Sequence, residues 1–224
     1  MITLHYLNNS RAQRILWLLE ELGLAYEVKT YDRDPITIMA PASLQAVHPL
    51  GKSPVITDDA NNITLAESGA IIEYLIDTYG ADRLKPSKAN ATEYWQYVYW
   101  MHYAEGSLMP PLLMSLVFTK MKEAKMPFFI KPVAKMLANK VMGAFVSPNI
   151  KRHMGYIEEH LSKHEWISGE LFTAADIQMS FPLEASVSRG TAAQYPNIVA
   201  YVKRLQARPA YQQALKAGPE YAYA

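Results

Sequence analysis

Ile2, Leu4 and Tyr6 alternate with Thr3 and His5, the period-two pattern of a half-buried strand. Asn8, Asn9 and Ser10 then turn the chain. From Arg11 the period changes: Ile15, Leu18, Leu19 and Leu22 fall on one helical face, and Gly23 stands where a helix C-terminal glycine belongs. Tyr26, Val28 and Thr30 alternate again, and a strand, helix, strand order asks for a parallel pair joined by a right-handed crossover. The stretch 32–48 is polar and broken by proline, and reads as a loop with a short helix. Next comes HPLGKSPVITDDANNITLAESGAIIEYL, from His48 to Leu75. Pro54 stands at the mouth of a short run, Val55, Ile56 and Thr57; DDANN supplies a polar turn, and Ile63, Thr64 and Leu65 return as a second strand, so a hairpin is expected. Ile71, Ile72, Leu75 and Ile76 then repeat as one buried helical face, with Ser68 placed to cap it.

Gly80 to Asn90 reads as a linker, and beyond it strand signals are scarce. Ala91 to Leu108 is helical in pattern, and Pro110 and Pro111 are expected to kink or interrupt that helix. Between Phe118 and Phe145 six lysines are set among methionines and phenylalanines, opposed only by Glu123. This segment has three readings: a mobile cover over a pocket, a packed helix pair with solvated lysines and, behind both, a membrane-surface role. Ile150, Met154, Ile157 and Leu161 mark another amphipathic helix. Thr173 to Asp176 matches a capping box, and Pro196 and Pro209 bracket a last amphipathic helix. The fold class expected is α/β plus all-α: an α/β unit over 1–80, a linker over 81–90, and an all-helical unit over 91–224.

Composition narrows the function. A net charge of +1 argues against a nucleic-acid partner, which calls for a strongly basic face. No run of ~18 apolar residues appears and the N-terminus lacks a signal-peptide design, so a cytoplasmic protein with no membrane partner is expected. Cysteine is absent, which removes disulfides, thiolate metal sites and a cysteine nucleophile together. Any thiol chemistry must arrive with a ligand. The histidines form no recognisable pair, so no metal is expected.

The strand that ends at Glu67 and Ser68 feeds directly into a helix N-terminus, where unpaired N–H groups can hold a carboxylate while Glu67 suits an ammonium. The two together fit an amino-acid moiety. With this pair in view, four segments resemble the glutathione transferase family in order and spacing: NNSRAQRILWLLEELGL, GKSPVI, ESGAIIEYL and, in the second half, TAADI. The resemblance spans nearly the whole chain and points to the serine-using branch. It implies a thioredoxin-like N-terminal domain that binds glutathione and an all-helical C-terminal domain that builds the pocket of a second substrate. Glutathione is then the co-substrate, with no further cofactor. The implied reaction is conjugation to a small apolar electrophile in detoxification, by a homodimer. Peroxide reduction by the same thiolate, or glutathione binding without catalysis, are the alternatives.

The resemblance also assigns roles. Ser10, four residues before Arg14, would donate to the glutathione sulfur, whereas by pattern alone it is a cap or turn residue. Tyr6, at the end of the first strand, is the alternative catalytic residue. Arg11 would touch glutathione or a partner subunit. A cis Pro54 would turn the backbone of Ser53 toward the cysteinyl moiety, Lys52 would reach the glycyl carboxylate, and Glu67 and Ser68 would grip the other end. Tyr103, Met109 and Leu113 would line the second-substrate pocket.

Overall fold

The structure, a computed structural model, describes residues 1–37, 39–81 and 83–224. Ile38, in the expected loop, and Asp82, in the expected linker, lie outside the described residues. Strand β1 (Ile2–Leu7) pairs in parallel with β2 (Tyr26–Tyr31), the helix α1 (Ala12–Leu22) crossing between them. Strand β3 (Val55–Asp58) runs antiparallel to β1 and to β4 (Ile63–Ala66), giving the order β2-β1-β3-β4. β1 is therefore an inner strand. The half-buried reading of it is corrected: its alternation places Leu4 and Tyr6 against α1, but the opposite face is covered too, with His5 buried and Leu7 packed on Tyr31 and on Leu44 of the short helix α2 (Ala42–Gln45). His5 tolerates this because its Nδ1 meets the Tyr31 hydroxyl at 2.8 Å.

Helix α1 is buried almost all round, Gln13 and Arg14 included, because it is sandwiched between the sheet and the helical half of the molecule. It ends at Gly23, whose φ of 67° is the left-handed conformation that glycine adopts freely. Helix α3 (Ser68–Tyr79) buries Ile71, Ile72, Leu75 and Ile76 as the pattern expects.

The helical half opens with α4 (Ala91–Tyr103) and α5 (Met109–Glu123), joined by a π-helical turn over Ala104–Leu108. Helix α6 (Lys131–Val141) joins α7 (Ser147–Leu161) through a second π turn, Met142–Val146. The interruption expected at Pro110 and Pro111 takes the form of a π turn rather than a break in the chain of helix. Each π turn lies just ahead of a proline, Pro110 in one case and Pro148 in the other. Adding one residue to the preceding turn moves the carbonyl that the proline ring would strike, so the helix continues. Residues 118–145 accordingly form the far ends of two helices packed side by side, with Lys122 Nζ 3.4 Å from Asn139 Oδ1. Helix α8 (Ala174–Ser188) runs through the centre of the helical half and is buried over nearly its whole length. Pro209 does not end the last helix, as expected, but opens another: α9 (Pro196–Gln206) is followed by α10 (Pro209–Ala217), because proline is well suited to a first helical turn.

Candidate functional site

The loop after β1 and the segment before β3 meet at two hydroxyls. Ser53 Oγ donates to the His5 carbonyl at 2.9 Å and accepts the Leu7 N–H at 3.0 Å, extending the sheet where β3 has not yet begun. Its one proton is thereby committed, so Ser10 is the donor in the 3.3 Å contact between Ser10 Oγ and Ser53 Oγ. Ser10 Oγ also accepts the Ala12 N–H at 3.2 Å, which fixes it at the N-terminus of α1. The Ser10 proton rests in a long hydrogen bond. An anionic acceptor nearby would replace it with a stronger one, since charge roughly doubles the strength of such a bond. The Ser53–Pro54 peptide is cis, and Lys52 is exposed beside it.

Across from these residues α3 begins. Glu67 precedes its first turn at φ 73°, ψ 118°, outside the left-handed helical well and costly for a side chain with a Cβ, on the order of 1–3 kcal/mol. Its carbonyl accepts the Ile71 N–H at 2.9 Å, leaving the N–H groups of Ser68, Gly69 and Ala70 for an outside partner. The Glu67 side chain is exposed. Ser68 does not cap the helix, contrary to the sequence reading. It is the first helical residue, and its buried hydroxyl turns inward, accepting from Arg14 Nη1 at 3.1 Å and donating to Gln178 Oε1 at 3.2 Å.

Beneath both stretches lies a charge cluster that the sequence reading missed. Arg14 is fully buried and its Nη1 also reaches Glu105 Oε1 at 2.6 Å; Arg11 Nε meets the same oxygen at 2.8 Å. Burial opposes ionisation of Glu105, but Arg14 and Arg11 outweigh it and hold its carboxyl below the usual range. Both guanidinium groups face the Phe181 ring, at 5.1 Å for Arg11 and 5.4 Å for Arg14. Two cations against one carboxylate leave the floor of the site positive. A signal for Glu105 was present: it is the single acid between Glu93 and Glu123. The π turn aims it across the domain boundary at α1.

The remaining candidates fall elsewhere. The Tyr6 ring is buried in the core and its hydroxyl donates to Gln13 Oε1 at 3.0 Å, while burial and then Glu184 push its pKa far up. Tyr103 is buried, with its hydroxyl 2.5 Å from Nδ1 of His153. Burial and then Arg152 lower the His153 pKa, so the neutral ring accepts from the tyrosine. Met109 is partly buried at the start of α5, and Leu113 lies half exposed on the outside of that helix. Among the described residues no group of three or more His, Asp or Glu side chains could hold a metal ion.

A four-stranded mixed sheet, a cis-proline beside a helix-start hydroxyl, and an open helix N-terminus opposite define a thioredoxin-like ligand site roofed by helices. Residues 10–78 match the family described as Glutathione S-transferase, N-terminal domain, and residues 121–217 match Glutathione S-transferase, C-terminal domain. Glutathione S-transferase 3 of Schizosaccharomyces pombe is 40% identical over 212 residues, covering 94% of this chain and 85% of the yeast protein. Glutathione S-transferase 1 of Saccharomyces cerevisiae is 36% identical, covering 94% and 92%. A crystal structure of a glutathione S-transferase from Actinobacillus pleuropneumoniae superposes with a TM-score of 0.78 at 35% identity, covering 100% of this chain and 99% of that one. The chain belongs to the glutathione S-transferase family, as an enzyme with glutathione for its co-substrate.

Proposed function

We propose that this transferase conjugates the glutathione thiolate to a small apolar electrophile, with Ser10 as the group that holds the thiolate. The observation that carries the reading is the Ser10 hydroxyl: fixed at the start of α1, with its proton in a 3.3 Å bond to Ser53 and free to turn to a sulfur. Glutathione lies with its γ-glutamyl end on α3, its ammonium at Glu67 and its carboxylate on the free N–H groups from Ser68 onward. The backbone of Ser53, beside the cis Pro54, pairs with the cysteinyl unit, and Lys52 takes the glycyl carboxylate. The α1 N-terminus and the positive surplus of Arg11 and Arg14 favour the anionic sulfur electrostatically. A hydrogen bond to a charged acceptor contributes about 1.5–3 kcal/mol and each pKa unit corresponds to ~1.4 kcal/mol, so one hydroxyl lowers the thiol pKa by about one to two units.

Further parts of the reading are a cytoplasmic location, a role in detoxification, and domains of 1–80 and 91–224 joined by 81–90. A homodimer is also part of it, supported by an exposed apolar stripe along α4 and α5 that includes Trp95, Tyr99, Leu113 and Val117. Tyr103 and Met109 are the residues proposed for the electrophile pocket; Leu113 serves there or in the dimer.

The test is a thiolate absorbance titration of bound glutathione. Ser10→Ala is expected to raise the thiol pKa and to cut neutral-pH turnover by about ten- to a hundredfold, with recovery at high pH and little loss of glutathione affinity. Tyr6→Phe should leave the titration unmoved. An upward shift in Tyr6→Phe but not in Ser10→Ala would transfer the catalytic role to the tyrosine. Peroxide turnover exceeding conjugation in the same assay would make the enzyme a peroxidase.

A further inference from the structure

Beyond the two π turns, the paired helices α5 and α6 leave the body of the molecule. They bury little, Pro111 and Ala138 among their described residues, and α6 rests mainly on α5 and its own continuation. The connection at their far end carries Phe128 and Phe129, 86% and 65% exposed. From this tip an apolar ladder runs along the arm. Phe129, Val133, Leu137, Val141 and Phe145 recur at every fourth residue and all are exposed, with Met136 beside them. At 1.5 Å per residue the ladder spans about 24 Å. Single exposed apolar residues are ordinary, but a continuous row ending in an aromatic tip marks a contact surface.

The charge around this row says what it contacts. Lys125 and Lys131 flank the tip, and Lys140 lies along the ladder, whereas Lys135, two residues from both Val133 and Leu137, stands on the other side of α6; none of the four forms an ion pair among the described residues. Lys120 pairs with Glu123, the single acid of the segment. The whole chain has a net charge of +1, so the positive charge is concentrated on this arm and the remainder is net acidic. A second copy of the tip would set Lys125 and Lys131 against like charges, which opposes self-association through the tip itself, apart from the α4 and α5 stripe proposed for the dimer. An anionic lipid surface meets both demands at once. Rings and aliphatic side chains sink among acyl chains while lysines reach up to phosphate groups, their methylene stems covering apolar surface.

We propose that the Phe128–Ile130 tip and the Phe129–Phe145 ladder form a docking surface for an anionic bilayer, on which the protein lies without spanning it. Among the described residues no helix is long and apolar enough to cross a membrane. The sequence reading expects no membrane partner, from the lack of a spanning segment, and places a membrane-surface role for residues 118–145 last of three; an interfacial helix needs no spanning segment. Apolar electrophiles concentrate in bilayers, so docking would bring the enzyme to its substrate; that consequence rests on the function proposed above, while the docking itself does not.

Sedimentation of the full chain with extruded vesicles tests this. Binding is expected to phosphatidylcholine vesicles containing phosphatidylglycerol, and to be at least about tenfold weaker with phosphatidylcholine alone or in high salt. Phe128→Asp with Phe129→Asp, and separately Lys125→Glu with Lys140→Glu, should each weaken it by about tenfold or more, leaving glutathione affinity and the unfolding midpoint unchanged. Failure of the wild type to bind anionic vesicles, or unchanged binding by either double variant, overturns the proposal. So does sedimentation equilibrium without lipid in which the Phe128→Asp, Phe129→Asp variant dissociates a wild-type oligomer, because the face would then be a contact between copies.

Discussion

At α3 two adjacent residues that the sequence joins in one role are divided by the structure. Glu67 projects outward from a strained backbone, and Ser68 turns inward to Arg14 and Gln178. Their substitutions should separate accordingly. Glu67→Gln is expected to weaken glutathione binding by about 1.5–3 kcal/mol with little change in unfolding, since it removes the charge-assisted contact proposed for the ligand's ammonium. Ser68→Ala should instead cost stability, about 1–3 kcal/mol, because it takes an acceptor from a buried guanidinium. Calorimetry and urea unfolding on both variants check the split, and a Ser68→Ala protein of wild-type stability but weak affinity would restore the joint role. Glu184 gives a second residue-scale prediction. Fully buried, it accepts from the Tyr221 hydroxyl at 2.9 Å, and burial pushes its pKa up to about 7 against the bonds from tyrosines and the nearby Arg14. A carboxyl with a raised folded pKa stabilises most below its unfolded value, near 4.3, and that contribution is lost as pH rises through about 7. Wild-type stability should therefore fall relative to Glu184→Gln between pH 5 and 8, read as the difference between their urea midpoints. Asp176, raised to about 6 by burial, acts in the same direction in both proteins and cancels in that difference. Equal slopes would refute the buried-acid account. Glu184 was not legible in the sequence, and the isolation of Glu105 did not by itself reveal its partners, since a lone acid in a helix reads as solvated until the helix is known to be enclosed.

Secondary structure was readable wherever one period governs a segment. The strand, helix, strand opening, the hairpin, Gly23 and the Thr173 to Asp176 cap all follow from local pattern and local chemistry. What failed depended on neighbours or on a rare turn. β1 was read as half-buried because alternation cannot say whether α2 covers the second face, and the two π turns went unforeseen because a π turn has no sequence period of its own. The cap at α8 shows how far a local signal can reach. Asp176 accepts the Thr173 N–H at 2.8 Å, and also the Ile167 N–H at 2.8 Å and the Tyr201 hydroxyl at 2.7 Å. It thus ties the loop before α8 and the helix α9 to one carboxylate. A cap alone is worth about 0.5–2 kcal/mol, and each buried donor left without a partner adds about 1–3 kcal/mol. Asp176→Ala is expected to destabilise by about 3–5 kcal/mol in urea unfolding, with the glutathione site affected only through loss of folded protein. A cost under about 1 kcal/mol would reduce Asp176 to an ordinary cap.

On the scale of the whole molecule, the last residues of the chain return to the first loop. After α10 the chain crosses the junction of the two halves. Tyr221 donates to Glu184 of α8, and the Ala222 N–H donates to Asn9 Oδ1 at 3.0 Å, one residue before Ser10. Tyr223 packs edge-on against Phe181, the ring that faces Arg11 and Arg14, and its hydroxyl accepts from Arg189 Nη2 at 3.0 Å. Asn9 itself holds a positive φ of 49°, a conformation that asparagine tolerates and that sets the turn presenting Ser10. The tail thus braces the proposed catalytic turn through Asn9, while Ser53 meets it at Ser10. Deleting residues 219–224 removes a buried tyrosine, worth about 1.5–3 kcal/mol by analogy with other large side chains, and strips a donor from a buried carboxyl. Stability should fall by about 2–4 kcal/mol. The more specific expectation concerns the turn. Amide exchange at Asn9 to Ala12 should accelerate, and turnover should fall by a larger factor than glutathione affinity, because the contacts proposed at α3 and Ser53 are kept while Ser10 no longer holds a fixed position. The control is Tyr223→Phe, which keeps the backbone bond to Asn9 and should leave that exchange unchanged. Exchange at the turn as slow in the truncated protein as in the full chain would show that β1 and α1 position Ser10 without help from the tail.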